Sequence, residues 1–511
     1  MTFEIPQGRP GQRLLRELRQ QYELREGPRL SREAVYLDTH DGRLHAQSRA
    51  LWSSEGVLQL ESLDRPDPRT RIDLDGLPGF ADRLPPGGLR DELVPLTRNR
   101  ALLELFSVRS RERTWSRWNR DRKTVLRVSV SQDEASDGKR TARLGSFVVV
   151  RQVRGYKKIF REVCEWWEKR GVQAGDGSRY RKAVEALGLD PLRAASVSRA
   201  KLDASMTAAE AVRAMIRAQY QVARANQEGV LNDTDAEFLH DFRVAVRRAR
   251  SYLGQLRDVF AAESGARLRK NLSWLGKSTN VLRDLDVYLE HQADYRSLLA
   301  APLTEDITPL FEFAARERET AYRALAGVMG SGDYDAAMQR WRSSVEDDSG
   351  LGTGRRGAEP ALSLAGARVA RKCRAVLEQG ARLRNQKDAA AFHSLRIECK
   401  QLRYLMEILG DLMPEAKGAV QRLKKLQDAL GRIQDLTVHE ARTQDFAQAM
   451  SAAGDGRALP AAEVLVSRMR VQRELACARV PELFAQFSRS LRETEPPYVM
   501  LLPWLRRIQD D

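Results

Sequence analysis

Two hydrophobic patterns divide the chain. Up to about residue 195, short β-like runs such as "TVLRVSVSQ" (124–132) and "GSFVVVRQVRGY" (145–156) are broken by Gly, Pro and Asp, which predicts strands joined by turns. From about residue 205 onward, apolar residues recur at spacings of three and four within long Ala-, Leu-, Arg- and Glu-rich segments, the period of amphipathic helices. The seam lies near "GLDPLRAASVSRAKLDAS". Within the helical part, "SVEDDSGLGTGRRGAEP" (344–360) holds too many glycines and turn formers for a helix. It reads as a connector between two halves, 206–343 and 361–511. The fold class expected is multidomain α+β: a β-rich domain over 1–195, then an all-α domain over 206–511.

The halves match in more than texture. "HDFRVAVRRAR" (240–250) returns as "HSLRIECKQLR" (393–403), and each is followed, one helix later, by "LRDLDV" (282–287) or "IQDLTV" (433–438), so that Asp284 answers Asp435. This is an internal duplication. At about 100° per residue, positions 0, +3, +7 and +10 fall within a band roughly 80° wide. In the first copy these are His240, Arg243, Arg247 and Arg250; in the second they are His393, Arg396, Lys400 and Arg403. Phe242, Ala245, Val246, Ala249 and Leu253 occupy the other face of the first helix, and Leu395, Cys399, Leu402 and Met406 that of the second, as packing on a core requires. "TDAE" (234–237) has the form of a capping box with Thr234 as N-cap.

Solvated helix faces usually mix signs at i and i+4. These bands carry only cations and an imidazole, in two matched copies, which points to an anionic ligand. A neutral imidazole donates one N–H to a phosphate oxygen, and protonation near its unperturbed pKa of about 6.5 adds charge. Each band runs about 15 Å along its helix, longer than one phosphate and suited to a linear polyanion. Arginine prevails over lysine in the bands, and its planar fork grips phosphate oxygens in pairs. Aromatic residues are not interleaved with the cations and no nucleic-acid-binding signature is present, so bare polyphosphate is preferred to DNA or RNA.

Composition agrees. Lys and Arg number 86 against 70 Asp and Glu, a formal charge of +16, which favours a polyanionic partner. The cysteines, Cys164, Cys373, Cys399 and Cys477, are scattered without disulfide or metal-type spacing, and no metal or cofactor is expected. No run of 18 apolar residues and no leader pattern is found, so a cytoplasmic protein without membrane contact is expected.

The repeated motifs, "LHDFRVAVRRARSYL" and "FHSLRIECKQLRYLMEIL" with "LRDLDV" and "LQDALGRIQDL" downstream, resemble the CHAD family, named for conserved histidines in an α-helical domain. That resemblance covers residues 206–511 and implies two pseudo-symmetric four-helix bundles whose basic faces meet in a channel for inorganic polyphosphate, often at polyphosphate granules. Carried over by motif position, the ligands are the eight band residues, with Arg248 on the margin of the first band. Lys270, Lys277, Arg422, Lys424 and Lys425 on the next helices are candidates to extend the channel.

Residues 1–195 are similar to the CYTH, or triphosphate-tunnel, superfamily, which implies an antiparallel barrel. "YLDTHDGRLHAQSRALW" (36–52), "RIDLDGLP" (71–78) and "SRYRKAVEALGL" (178–189) carry that similarity. The departures fall on the catalytic positions. The opening Glu-x-Glu-x-Lys strand has become "TFEIPQG", the strand "SFVVVRQVRG" has no acids, and an expected Arg-x-Arg reads "ALWSS". Metal-assisted triphosphate hydrolysis needs several carboxylates converging on a divalent ion, so no hydrolytic activity is expected. Asp73 and Asp75 are the remaining acids for the alternative, a metal-dependent triphosphatase.

Overall fold

The structure, a computed structural model, describes residues 1–6, 8–64, 70–172, 174–175, 178–192, 200, 202–203, 205–346, 350–383, 389–410 and 417–493. The seam and the connector lie partly, and residues 494–511 wholly, outside the described residues. The chain forms two compact units, Met1–Ser196 and Val197–Asp511.

Among the described residues of the first unit, nine strands make one antiparallel sheet: β1 (Thr2–Ile5), β2 (Arg25–Asp38), β3 (Arg49–Ser54), β4 (Val57–Ser62), β5 (Thr70–Asp73), β6 (Leu103–Trp118), β7 (Thr124–Ser136), β8 (Thr141–Gln152) and β9 (Ala174–Gly175). Their order is β5-β4-β3-β2-β6-β7-β8-β1-β9. No ladder joins β5 to β9 among the described residues, yet Arg71 of β5 and Gly175 of β9 border one cavity, so the sheet curls toward a barrel while keeping two edges. Helices cover it in patches. α1 (Arg9–Gln21) and α4 (Lys157–Glu168) place Leu18, Val163 and Trp167 against Phe3, Val128 and Val148. α2 (Arg43–Ala46) and α3 (Gly88–Thr97) place Leu44, Leu89 and Leu93 against Leu51 and Leu58. α5 (Arg179–Leu187) seats Tyr180 and Ala183 on Phe106 and Phe147. The Tyr36-x-Asp38-Thr39 stretch plays a structural role, because the buried Asp38 carboxylate accepts from the backbone N–H groups of Thr39, Leu44 and His45, at 2.7, 2.9 and 2.9 Å, and so holds α2 on the sheet.

The second unit is helical. Its first half contains α6 (Ala208–Leu231), α7 (Ala236–Gln255), α8 (Ala262–Ser278), α9 (Asn280–Glu290), the short α10 (Gln292–Arg296) and α11 (Ala301–Asp306), α12 (Thr308–Met329) and α13 (Gly332–Glu346). The second half contains α14 (Ala361–Arg382), α15 (Ala389–Gly410), α16 (Lys417–Ala452) and α17 (Leu459–Glu493). The duplication is visible in this order, with α6 matching α14, α7 matching α15, and α8 plus α9 matching the single long α16. One core lies within the second half, between Val369, Cys373, Leu395, Cys399, Leu423, Leu426 and Phe484. Another joins the halves, with Tyr288, Tyr295 and Phe311 packed against Leu436, Met450 and Leu465.

Two local details correct or sharpen the sequence reading. The N-cap of α7 is Asp235, not Thr234: its carboxylate accepts from Glu237 N and Phe238 N at 2.9 and 3.1 Å. Thr234 is consumed by the end of α6, where Asp233 turns with φ 47° and Thr234 N donates to Gly229 O at 3.0 Å. A capping box does open α6, between Thr207 and Glu210. The connector is tied down: Gly354 N donates to Val259 O and Arg356 N to Asp258 O, both at 2.9 Å. At its far end Glu359 O and Gly357 O accept from Ala208 N and Ala209 N, satisfying first-turn donors of α6. A Cβ at position 354 would lie 2.4 Å from the carbonyl oxygens of Asp258 and Phe260, so this close approach requires glycine.

Candidate functional site

The apolar positions of the repeated helices are buried as their period requires, from Phe242 and Val246 in α7 to Leu395 and Cys399 in α15. That anchoring turns the cationic sides of α7 and α15 to a shared cavity of about 850 Å3. α7 contributes Arg247 and Arg250, α15 contributes His393, Arg396 and Lys400, the turn after α7 adds Arg257, α8 adds Arg269, and α14 adds Arg368, Arg371 and Lys372. Among the described residues, nine Lys and Arg side chains thus face two carboxylates, Asp258 and Glu398. Both acids are engaged: Glu398 lies 2.7 Å from Lys372, and Asp258 lies 3.9 Å from Arg368 and 3.8 Å from Arg355.

The electrostatics record the crowding. Burial first, and then repulsion from Arg247, Arg396 and Arg403, outweigh Asp435 and pull the Lys400 ammonium from 10.5 to about 7. Arg396 is pushed down by burial and by Arg247, against the pull of Asp435, whose carboxylate is 3.9 Å away. Arg368 is lowered by burial and by its neighbours Arg371 and Arg356. The Nε atoms of Arg368 and Arg396 are buried and meet no hydrogen-bond partner among the described residues. Such a cluster holds positive charge that its own acids do not offset, around a space wide enough for an anion.

A family model described as the CHAD domain matches residues 214–444. The second unit carries a CHAD domain. Among solved structures, the chain is similar to the CHAD domain from the plant Ricinus communis, at 23% identity and a TM-score of 0.48, covering 56% of this chain and 95% of that one. It is also similar to PptA from Streptomyces chartreusis, at 18% identity and a TM-score of 0.42, covering 55% and 99%. No curated protein gave a significant match.

Within the CHAD domain the candidate residues separate into three groups. Arg247, Arg250, His393, Arg396 and Lys400 line the cavity. His240, Arg243, Arg248 and Arg403 lie half-buried outside its lining. Arg243 is spent on the α8–α9 junction, donating to Gly276 O, Thr279 Oγ1 and Asn280 Oδ1 at 3.2, 2.7 and 2.8 Å, and burial lowers it to about 10. Its counterpart Arg396 faces the cavity because α16 runs straight through where α8 breaks at Thr279. Arg248 and Arg403 sit over the Tyr404 ring at 5.7 and 5.4 Å, while Arg247 Nε donates to Tyr404 Oη at 2.9 Å. Lys270, Lys277, Arg422, Lys424 and Lys425 are exposed, and none lines the cavity.

Five lining cations were not among the sequence candidates: Arg257, Arg269, Arg368, Arg371 and Lys372. For the last three a signal exists, since positions i, i+3 and i+4 share one face of α14 opposite Val369 and Cys373. Arg269 is adjacent in sequence to the candidate Lys270, and one residue rotates the side chain by about 100°. His393 Nδ1 is 2.7 Å from Gln434 Oε1, so Gln434 orients the ring. Among the described residues no group of three or more His, Cys, Asp or Glu is arranged to hold a metal ion.

Proposed function

We propose that the CHAD domain captures linear inorganic polyphosphate in the cavity between α7 and α15, without chemistry. The observation that carries this reading is the surplus of cations drawn from both repeats into one cavity, with Lys400 held down to about 7 by burial first and then by its cationic neighbours. A phosphate chain relieves that repulsion along its whole length, and release of its counterions makes affinity fall as salt rises. The aromatic residue of the cavity, Tyr404, is 2% exposed and its ring is occupied by two guanidinium groups, so it offers no platform to a base. This favours polyphosphate over nucleic acid.

The first unit is proposed to lack triphosphatase activity: Asp73 and Asp75 are exposed and neither borders the curled sheet's cavity. No helix among the described residues is long and apolar enough to cross a membrane, and a place at cytoplasmic polyphosphate granules is part of the proposal. The test is retention on immobilised polyphosphate. Arg247→Glu with Arg396→Glu should abolish it while the helical circular dichroism is kept, and Lys424→Glu with Lys425→Glu should leave it intact. Equal retention of all three proteins would remove the assignment, and release of phosphate from tripolyphosphate with Mg²⁺ would overturn the non-catalytic reading of the first unit.

A further inference from the structure

One end of the sheet in the first unit gathers cations that its acids do not offset. Register places Arg25 of β2 opposite Ser116 of β6, Ser116 opposite Arg127 of β7, and Arg127 opposite Arg151 of β8. Directly opposite residues share a face, so three exposed arginines stand in one row across four strands, about 14 Å from end to end at about 4.8 Å per strand. Like charges directly opposite one another destabilise a strand pair, and Arg127 with Arg151 is such a pair. None of the three arginines has a carboxylate within ion-pair distance among the described residues.

The turn that joins β6 to β7 lies at the same end and adds to the row. Asn119 closes it: the backbone N–H of Asn119 donates to Lys123 O at 2.9 Å, and the side-chain Oδ1 accepts from Lys123 N at 2.8 Å. Arg120, Arg122 and Lys123 are exposed on this turn, with Asp121 as its one acid. Asn119 Nδ2 also donates to Tyr156 Oη at 3.4 Å, which ties the turn to the loop before α4, where Arg154, Lys157 and Lys158 are exposed. Trp118, the last residue of β6, keeps 43% of its surface exposed, and the Arg25 guanidinium lies over its ring at 5.0 Å. The row thus ends on an indole that a cation steadies from one side and solvent reaches from the other.

We propose that this end of the sheet binds single-stranded nucleic acid, with a base stacked on Trp118 and the neighbouring phosphates on Arg25, Arg127 and Arg151. Phosphate-tracking cations beside an exposed aromatic ring are what a sequence-tolerant single-strand site requires. A bare polyphosphate chain gains nothing from an indole. A duplex keeps its bases stacked on one another and cannot use Trp118, and a membrane surface calls for several exposed apolar side chains where this turn offers one. The inference is independent of polyphosphate capture by the CHAD domain.

The experiment follows fluorescein-labelled oligomers of deoxythymidylate and of uridylate, each about 12 nucleotides long, by anisotropy. It uses the full chain carrying Arg247→Glu and Arg396→Glu, so that the CHAD cavity does not contribute. Saturable binding that falls steeply as salt rises is expected for at least one oligomer. Trp118→Ala should weaken it roughly tenfold, and Trp118→Phe should keep most of the affinity. Arg127→Glu should weaken binding and flatten the salt dependence, yet it sets a carboxylate opposite Arg151, so its thermal midpoint should equal or exceed the parent's. The proposal is overturned if neither oligomer saturates below about 100 µM at low salt. It is equally overturned if the folded Trp118→Ala protein binds as the parent does, if a duplex of the same length binds as tightly, or if polyphosphate or anionic lipid vesicles bind with the same dependence on Trp118.

Discussion

Lys400→Met should change polyphosphate affinity in a way that depends on pH. In the free protein the Lys400 ammonium titrates near 7, because it is buried beside Arg247, Arg396 and Arg403 with Asp435 alone pulling the other way. A phosphate chain in the cavity restores the charged form, so binding takes up a proton wherever the free lysine is neutral. With a free pKa of about 7, the charged fraction falls about 25-fold between pH 7.5 and pH 9, which weakens binding by the same factor, about 1.9 kcal/mol. That window lies above the ordinary histidine range, so the slope reports the lysine. The Met variant should bind less tightly at pH 7 yet lose little further affinity up to pH 9. Stability runs the opposite way. The folded pKa lies below the unfolded 10.5, so the free protein gains stability as pH rises from about 7 to about 10.5 and loses it as pH falls through 7, and the Met variant should lack this dependence. Fluorescence anisotropy with a labelled polyphosphate at constant ionic strength gives the affinities, and calorimetry in buffers of different ionisation enthalpy counts the protons. Parallel slopes in parent and variant above pH 7.5, with no proton uptake, would refute the account.

Tyr404→Phe should lower stability by about 1 kcal/mol in urea titrations, since Arg247 Nε loses its hydroxyl acceptor, and should weaken polyphosphate binding several-fold as that guanidinium is freed. Asp435→Asn removes the carboxylate beside Arg396 and Lys400; thermal melts should show a less stable free protein, and anisotropy at low salt a tighter complex. Gly380→Ala and Gly229→Ala place a methyl group 2.0 Å from the Phe484 ring and 2.2 Å from that of Phe238, so each should cost about 1–3 kcal/mol by urea denaturation.

The repeat and the period of its apolar positions made α7 and α15 legible from residue spacing, because a helix buried on one side leaves its mark at every third and fourth position. What spacing cannot give is which neighbour a cation meets. Arg243 and Arg396 hold the same place in the two copies, but a break in the helix at Thr279 gives Arg243 three oxygen acceptors, while the unbroken α16 leaves Arg396 facing the cavity. Likewise Arg257 and Arg269 reach the site only through the turn after α7 and the packing of α8, contacts between residues distant in the pattern. In the first unit, short β-like runs broken by turn formers announced a sheet, whereas the burial of Gln59 between Trp52 and Arg71 is a property of strand register.

The connector of residues 350–360 hydrogen-bonds to the segment after α7 and to the start of α6 before the chain enters α14. Since the cavity takes residues from both copies, a solitary repeat could build it only by meeting a second molecule, at a rate and strength set by concentration. Fusing the copies through a strap pinned at both ends makes that encounter intramolecular, so the site survives any dilution. Cutting the strap should return the site to the behaviour of a dimer, in which occupancy depends on how much protein is present.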